Sequence, residues 1–74
     1  MKLWLLERNS LRVNDDEASG FVVRAEDETQ ARFFAGPQAG DEGESTWADE
    51  RKSTCVELTA AGVSGVVLRD FNYG

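Results

Sequence analysis

Carboxylates are the side chains of this 74-residue chain that are best placed to do chemistry, because histidine is absent and there is one cysteine. Of the 14 acidic residues, 11 fall in two stretches: residues 14–29 hold six, and residues 41–50 hold five without a single base. Such clusters are typical of a cation site, of an acid–base pair, or of a surface that attracts a basic partner. The alternative is that the acids cap a helix and solvate loops.

The spacing of these acids does not favour metal binding or catalysis. The segment 15–20, DDEASG, has acids at consecutive positions instead of the alternating positions of a calcium loop, and no glutamate follows at the required distance. With one cysteine and no histidine, a structural zinc site lacks its ligands. The pairs Asp15–Asp16 and Asp41–Glu42 are predicted in exposed loops, where nothing would separate their pKa values. We therefore expect no enzymatic activity, no metal and no cofactor.

Cys55 is predicted to be a buried or half-buried structural thiol in an alternating stretch, 53–59, with no imidazole to activate it. A single cysteine cannot form an internal disulfide, which fits a reducing compartment. No stretch approaches the roughly 20 apolar residues of a membrane span. The apolar run at 3–6 is shorter than the core of a signal peptide. These features predict a cytoplasmic protein.

The net charge of −6 favours a basic protein partner and disfavours direct binding to nucleic acid or membranes. Trp47 lies inside the second acidic cluster, and an aromatic among carboxylates suits a patch that faces Arg and Lys, although the core is the commoner place for tryptophan. Whether the two clusters form one surface stays open. The candidate partner-binding residues are Asp15, Asp16, Glu17, Asp41, Glu42, Glu44, Trp47, Asp49 and Glu50.

The number of acids limits how far the protein can imitate DNA. A duplex about 25 Å long carries roughly 15 charges. This chain has 14 acids in all, offset in part by eight bases. It could imitate a few phosphates or block one basic pocket.

The chain pattern predicts one α+β domain, residues 1–74. Residues 2–8 and 20–25 are expected to be strands that pair as a hairpin. A helix is predicted over 28–36, with Asp27 as N-cap and Gln30 in the capping-box position. Further strands are predicted at 45–49, 53–59 and 66–71.

These elements give the order β-β-α-β-β-β and an antiparallel sheet of four to five strands, with one short helix packed on one face. On the helix, Ala31, Phe34 and Ala35 form the predicted inward stripe, and Glu28 and Arg32 are spaced to form an ion pair. One helix leaves the other sheet face poorly covered. That face is predicted to carry Trp4, Leu6, Val67 and Phe71.

Five stretches together carry a resemblance that spans nearly the whole chain: KLWLLER, GFVVRAEDETQAR, GDEGEST, STCVEL and GVVLRDFN. In that order they resemble small proteins encoded by phages and prophages. In size and acidity the chain is similar to anti-CRISPR proteins, which are small phage inhibitors of bacterial CRISPR effectors.

The resemblance implies a non-enzymatic phage or mobile-element inhibitor, acting in the cytoplasm of the bacterial host. It would bind a basic nucleic-acid-binding surface of a host defence complex, such as a CRISPR surveillance complex, and block target DNA. The alternative is an accessory or structural phage protein that acts through oligomerisation or a protein partner. Both a monomer and a dimer fit the sequence.

Overall fold

The computed structural model describes residues 1–9 and 17–68, which form a three-stranded antiparallel sheet with helices on one face. The strands are β1 (Lys2–Arg8), β2 (Gly20–Ala25) and β3 (Ser53–Leu58), in the spatial order β2-β1-β3. Helix α1 (Glu28–Ala35), a 3₁₀ turn (Gly36–Gln38) and helix α2 (Glu44–Ala48) connect β2 to β3. The predicted α+β class and antiparallel pairing are confirmed. Neither helix is long and apolar enough to cross a membrane.

The central strand β1 divides its apolar residues between the two faces of the sheet. Leu6 is fully buried under the helices, and Trp4 packs beside it, with its indole Nε1 donating to the Ala25 carbonyl at 3.1 Å. Leu3 and Leu5 therefore lie on the opposite face, since side chains alternate along a strand. The prediction that Trp4 and Leu6 line the poorly covered face is wrong.

Helix α1 begins where the sequence indicates. The Asp27 carboxylate accepts a hydrogen bond from the backbone N–H of Gln30 at 2.8 Å, which satisfies a donor that the first turn leaves unpaired. Ala31 and Ala35 are buried against the sheet, whereas Phe34 is 46% exposed. The inward stripe is therefore narrower than predicted, and it is made of small residues that let α1 approach the sheet closely.

Two predicted strands are corrected. The segment predicted as a strand at 45–49 is α2, because Gly43 turns the chain at a φ of 87° and the Thr46 hydroxyl donates to the Glu42 carbonyl at 2.8 Å. Within the predicted strand 66–71, residues 66–68 form no strand, and the remainder, with Phe71, lies outside the described residues. The part of the chain that the structure describes thus has three strands in the order β-β-α-α-β, not four to five.

Candidate functional site

The turn before α2 is organised by the carboxylate of Glu42, one of the predicted contact residues. Its Oε1 accepts from the backbone N–H groups of Ala18 at 3.0 Å and Gly40 at 2.9 Å. Its Oε2 accepts from the indole Nε1 of Trp47 at 2.7 Å. Glu42 therefore holds the segment before β2, the turn and α2 together, and both of its oxygens are occupied within the chain.

These hydrogen bonds change the acidity of Glu42. Partial burial raises the pKa of the carboxyl, but the bonds from Trp47, Ala18 and Gly40 outweigh it, so the pKa lies below its ordinary value of 4.5. Because the folded pKa is lowered, the ionised carboxylate contributes stability that is fully present above pH 4.5. That contribution is lost as the pH falls through the folded pKa.

We expect Glu42→Gln to lower the free energy of unfolding by about 1–2 kcal/mol at pH 7. The NH₂ group of the glutamine would replace a carboxylate oxygen, so it would point a hydrogen-bond donor at the N–H of the backbone or of the indole. The difference from the wild type should shrink at a pH well below 4.5, as the pH falls through the lowered pKa of the folded carboxyl. Urea unfolding at both pH values measures this. Glu50→Gln, at an exposed position, is the control. A difference that is independent of pH would contradict this role for Glu42.

Trp47 is fully buried and belongs to the core. Its ring meets Phe21 edge to face, with the two ring centroids 4.8 Å apart, and its indole N–H is used by Glu42. A helical α2 is what carries this side chain beneath the sheet. The sequence left open whether Trp47 is a core residue or a partner contact. In the structure it is a core residue, and its side chain has no exposed surface for a partner to contact.

Arg32 is a buried cation that joins α1, α2 and β3. It is 9% exposed, and its Nε pairs with Glu28 Oε2 at 2.9 Å, as the i,i+4 spacing predicts. Its Nη1 donates to the Trp47 carbonyl at 3.0 Å and to Ser53 Oγ at 2.8 Å, and its Nη2 donates to the Ser53 carbonyl at 3.1 Å. Ser53 Oγ in turn donates to the Thr46 carbonyl at 2.8 Å. Carbonyls that the short α2 leaves unpaired at its end are thereby satisfied.

Other predicted contact residues also have partners within the chain. Both oxygens of Asp49 accept from the Arg51 guanidinium at 3.2 Å, and these hydrogen bonds lower the pKa of Asp49. Glu17 Oε1 lies 3.4 Å from Arg8 Nη1, with both side chains largely buried. Two predicted residues lie outside the described part of the chain: Asp15 and Asp16.

Among the predicted acids within residues 17–68, those that remain exposed are Asp41, Glu44 and Glu50. Glu50 lines a shallow groove of about 370 Å³ between α1 and α2, and Glu28 lies on the opposite wall. Glu28 comes from the first acidic cluster and Glu50 from the second. The two clusters therefore meet at this groove, which we call the α1–α2 groove; its lining residues are Glu28, Thr29, Arg32, Phe33, Ala48 and Glu50.

Phe33 is the residue of the α1–α2 groove that the sequence interpretation missed. It is 74% exposed, and its ring meets that of Phe34 edge to face at a centroid distance of 6.0 Å. A signal was present, because adjacent residues on a helix point about 100° apart and cannot both face the core. The groove thus has an exposed aromatic ring flanked by carboxylates, the arrangement that the sequence had suggested for Trp47.

Cys55 is half-buried and packs against the core, as its alternating pattern predicts. Burial and the nearby charge of Glu28 raise the pKa of the thiol, and the charge of Arg32 only partly opposes them. The thiol therefore stays protonated at neutral pH and is a weak nucleophile.

Residues 1–9 and 17–68 contain no group of three or more side chains of the types that hold a metal ion. Comparison of the chain with protein-family models, with curated proteins and with solved structures finds no match. The function has therefore to be inferred from the residues of this chain.

Proposed function

We propose that this protein is a non-enzymatic binding protein that attaches to a basic protein surface through the α1–α2 groove. The observation that carries the proposal is the 74% exposure of Phe33 in a groove that also presents Glu28 and Glu50. Phe33 is not a single scattered apolar residue, because its ring contacts that of the exposed Phe34, and contiguous exposed apolar surface next to polar groups is typical of interaction sites.

The two kinds of side chain would contribute differently to binding. Burying the Phe33 ring in a partner would supply about 2–3 kcal/mol of apolar burial. The carboxylates would steer the encounter with Arg and Lys side chains, and the net charge of −6 adds a long-range attraction to any basic surface. Anchor and charge together favour a protein partner.

The finer proposal is that the partner is the nucleic-acid-binding surface of a host defence complex, such as a CRISPR surveillance complex. Binding there would exclude target DNA, in the manner of an anti-CRISPR protein encoded by a phage or mobile element. This step is supported by the resemblance of the five sequence stretches and by the acidic clusters. The groove contributes Phe33, Glu50 and Glu28, whose carboxylate pairs with Arg32 through one oxygen and is 47% exposed. The exposed carboxylates of Asp41 and Glu44, which lie outside the groove lining, add to the attraction of a basic surface. Trp47 and Glu42 are left out, because Trp47 is fully buried and both oxygens of Glu42 are occupied.

The test is a competition titration of the purified protein onto a panel of DNA-targeting surveillance complexes, at low and moderate salt, with and without target DNA. We expect salt-sensitive binding that excludes DNA. Phe33→Ala should weaken that binding about 30-fold, as removal of an interface anchor does. Glu50→Lys should weaken it about 5- to 10-fold, chiefly through slower association.

Two control variants make the same chemical changes elsewhere on the surface. Val63→Ala shortens an apolar side chain that is almost fully exposed, and Glu57→Lys changes the net charge by the same amount as Glu50→Lys. Both should bind like the wild type. Binding that leaves DNA affinity unchanged would contradict competition for the DNA site, and an absence of binding across the panel would contradict the proposed class of partner.

A further inference from the structure

The charges that line the α1–α2 groove do not cancel. Two carboxylates, Glu28 and Glu50, stand against one cation, Arg32, which leaves one negative charge. Arg32 is buried and bound to acceptors within the chain. The exposed Glu50 carboxylate has no hydrogen bond or ion pair within residues 1–9 and 17–68, and the guanidinium of its neighbour Arg51 is bound to Asp49 instead. One monovalent cation would therefore neutralise the groove.

The aromatic ring of the groove favours a cation as well. Phe33 is 74% exposed, and the residue that α2 contributes to the lining is Ala48, whose methyl group is too small to cover the ring. The face of an aromatic ring carries partial negative charge and attracts Arg and Lys side chains. The volume of about 370 Å³ lies near the lower end of the range for small-ligand pockets, so it suits one side chain better than a helix or a strand.

We propose that the α1–α2 groove binds a single arginine side chain of the partner. The guanidinium packs against the Phe33 ring, and its N–H groups donate to the carboxylate of Glu50. This inference rests on the proposed function, because it names the group that the groove takes from a basic surface. Arginine is also the residue that proteins use most readily to hold phosphates, so it is expected on a surface that binds nucleic acid.

The chemistry of the groove favours arginine over lysine. A guanidinium is planar, so it stacks on an aromatic ring while its edge donates two parallel hydrogen bonds to a carboxylate. Glu28 binds Arg32 through Oε2 and its side chain is 47% exposed, which leaves Oε1 to accept from a ligand. The ammonium of lysine is a compact charge that is more strongly hydrated, and it cannot stack or form the two parallel bonds.

A titration with blocked amino acids tests the site directly. Nα-acetyl-L-arginine methylamide is added to the whole chain at constant ionic strength, up to about 50 mM, and NMR follows the Phe33 ring and the Ala48 methyl group. We expect these signals to shift with a dissociation constant of about 1–10 mM, as a ligand of this size allows. Blocked citrulline has nearly the same shape without the charge, and it should bind at least about tenfold more weakly. Blocked lysine should bind about threefold more weakly than arginine.

Two substitutions in the groove should weaken the binding of blocked arginine. Phe33→Leu keeps an apolar side chain but removes the ring, and we expect a loss of about 2- to 5-fold. Glu50→Gln keeps the shape but removes the charge, and we expect a loss of about 3- to 5-fold. Phe34→Leu and Glu44→Gln make the same changes at exposed positions outside the groove lining, and each should alter binding less than about 1.5-fold. Circular dichroism of each variant confirms that the fold is retained.

The outcomes separate this inference from the proposed function, because no surveillance complex enters the titration. Equal binding of arginine and citrulline, or equal losses in Glu50→Gln and Glu44→Gln, would overturn a specific cation site. Lysine that binds as well as arginine would overturn the preference for arginine. A complex that binds through Phe33 although blocked arginine does not bind would overturn this inference alone. Binding of arginine in the groove without binding of any complex would overturn only the proposed class of partner.

Discussion

Arg32→Leu is expected to lower the free energy of unfolding by about 3–4 kcal/mol, the largest effect of any single polar substitution in the described structure. The leucine would leave the buried carbonyls of Trp47 and Ser53 without donors. A domain of this size has about 4–11 kcal/mol of stability in total, so this loss would bring it close to unfolding. Urea unfolding followed by tryptophan fluorescence measures the change.

Two further variants distinguish the contribution of the Arg32 hydrogen bonds from that of its positive charge. Arg32→Lys keeps the cation but loses the planar fork that reaches four acceptor atoms on three residues, so we expect a loss of about 2 kcal/mol. Arg51→Leu removes an arginine whose own side chain is exposed to solvent, and it should destabilise the protein far less than Arg32→Leu does. If Arg32→Leu were no worse than Arg51→Leu, the buried network would not hold the elements together as described.

Trp47→Ala is expected to destabilise the protein by about 3–5 kcal/mol, because it empties the largest fully buried side-chain volume in the described core. It also removes the contact with Phe21 and the donor that Glu42 accepts. The variant should unfold at a much lower temperature than the wild type, which differential scanning calorimetry would show.

Trp47→Phe distinguishes a structural tryptophan from a contact tryptophan. It retains most of the ring and loses the indole N–H, so we expect a loss of about 1–2 kcal/mol with the fold intact. Because Trp47 is fully buried, this folded variant should bind any partner of the protein as tightly as the wild type does. Weaker binding by a well-folded Trp47→Phe would show that the tryptophan reaches the partner after all.

The sequence predicted correctly those helices and strands that are determined by residues close together in the chain. The bounds of β1 and β2 follow from short apolar or alternating runs closed by polar residues, and α1 follows from the Asp27 cap and the small inward residues. The sequence LWLL at 3–6 is apolar at every position, however, so periodicity could not say which face of β1 meets the helices. The contacts of Leu6 and Trp4 with the helices decide the orientation of β1, and the prediction that both residues line the poorly covered face was therefore wrong.

Helix α2 and the candidate site depend on contacts that are distant in sequence. Arg32 reaches across 15 residues to Trp47 and across 21 to Ser53, and Glu42 reaches across 24 to Ala18. Nothing within 44–48 signals these bonds, and its Thr and Trp residues favour a strand by local propensity. The contact residues of the site could not be predicted for the same reason. An acid that is hydrogen-bonded inside the fold and an acid that is exposed to a partner cannot be distinguished in a sequence.

The Arg32 network has a consequence for cooperativity. Helix α2 is a single turn, too short to persist by itself in water. Its end is completed by groups from α1 and β3, so the helix can exist only when those elements are already in place. The two walls of the α1–α2 groove therefore melt as one unit with the sheet. A partner that docks there meets a surface that is already ordered, and little conformational entropy remains to be lost when it binds.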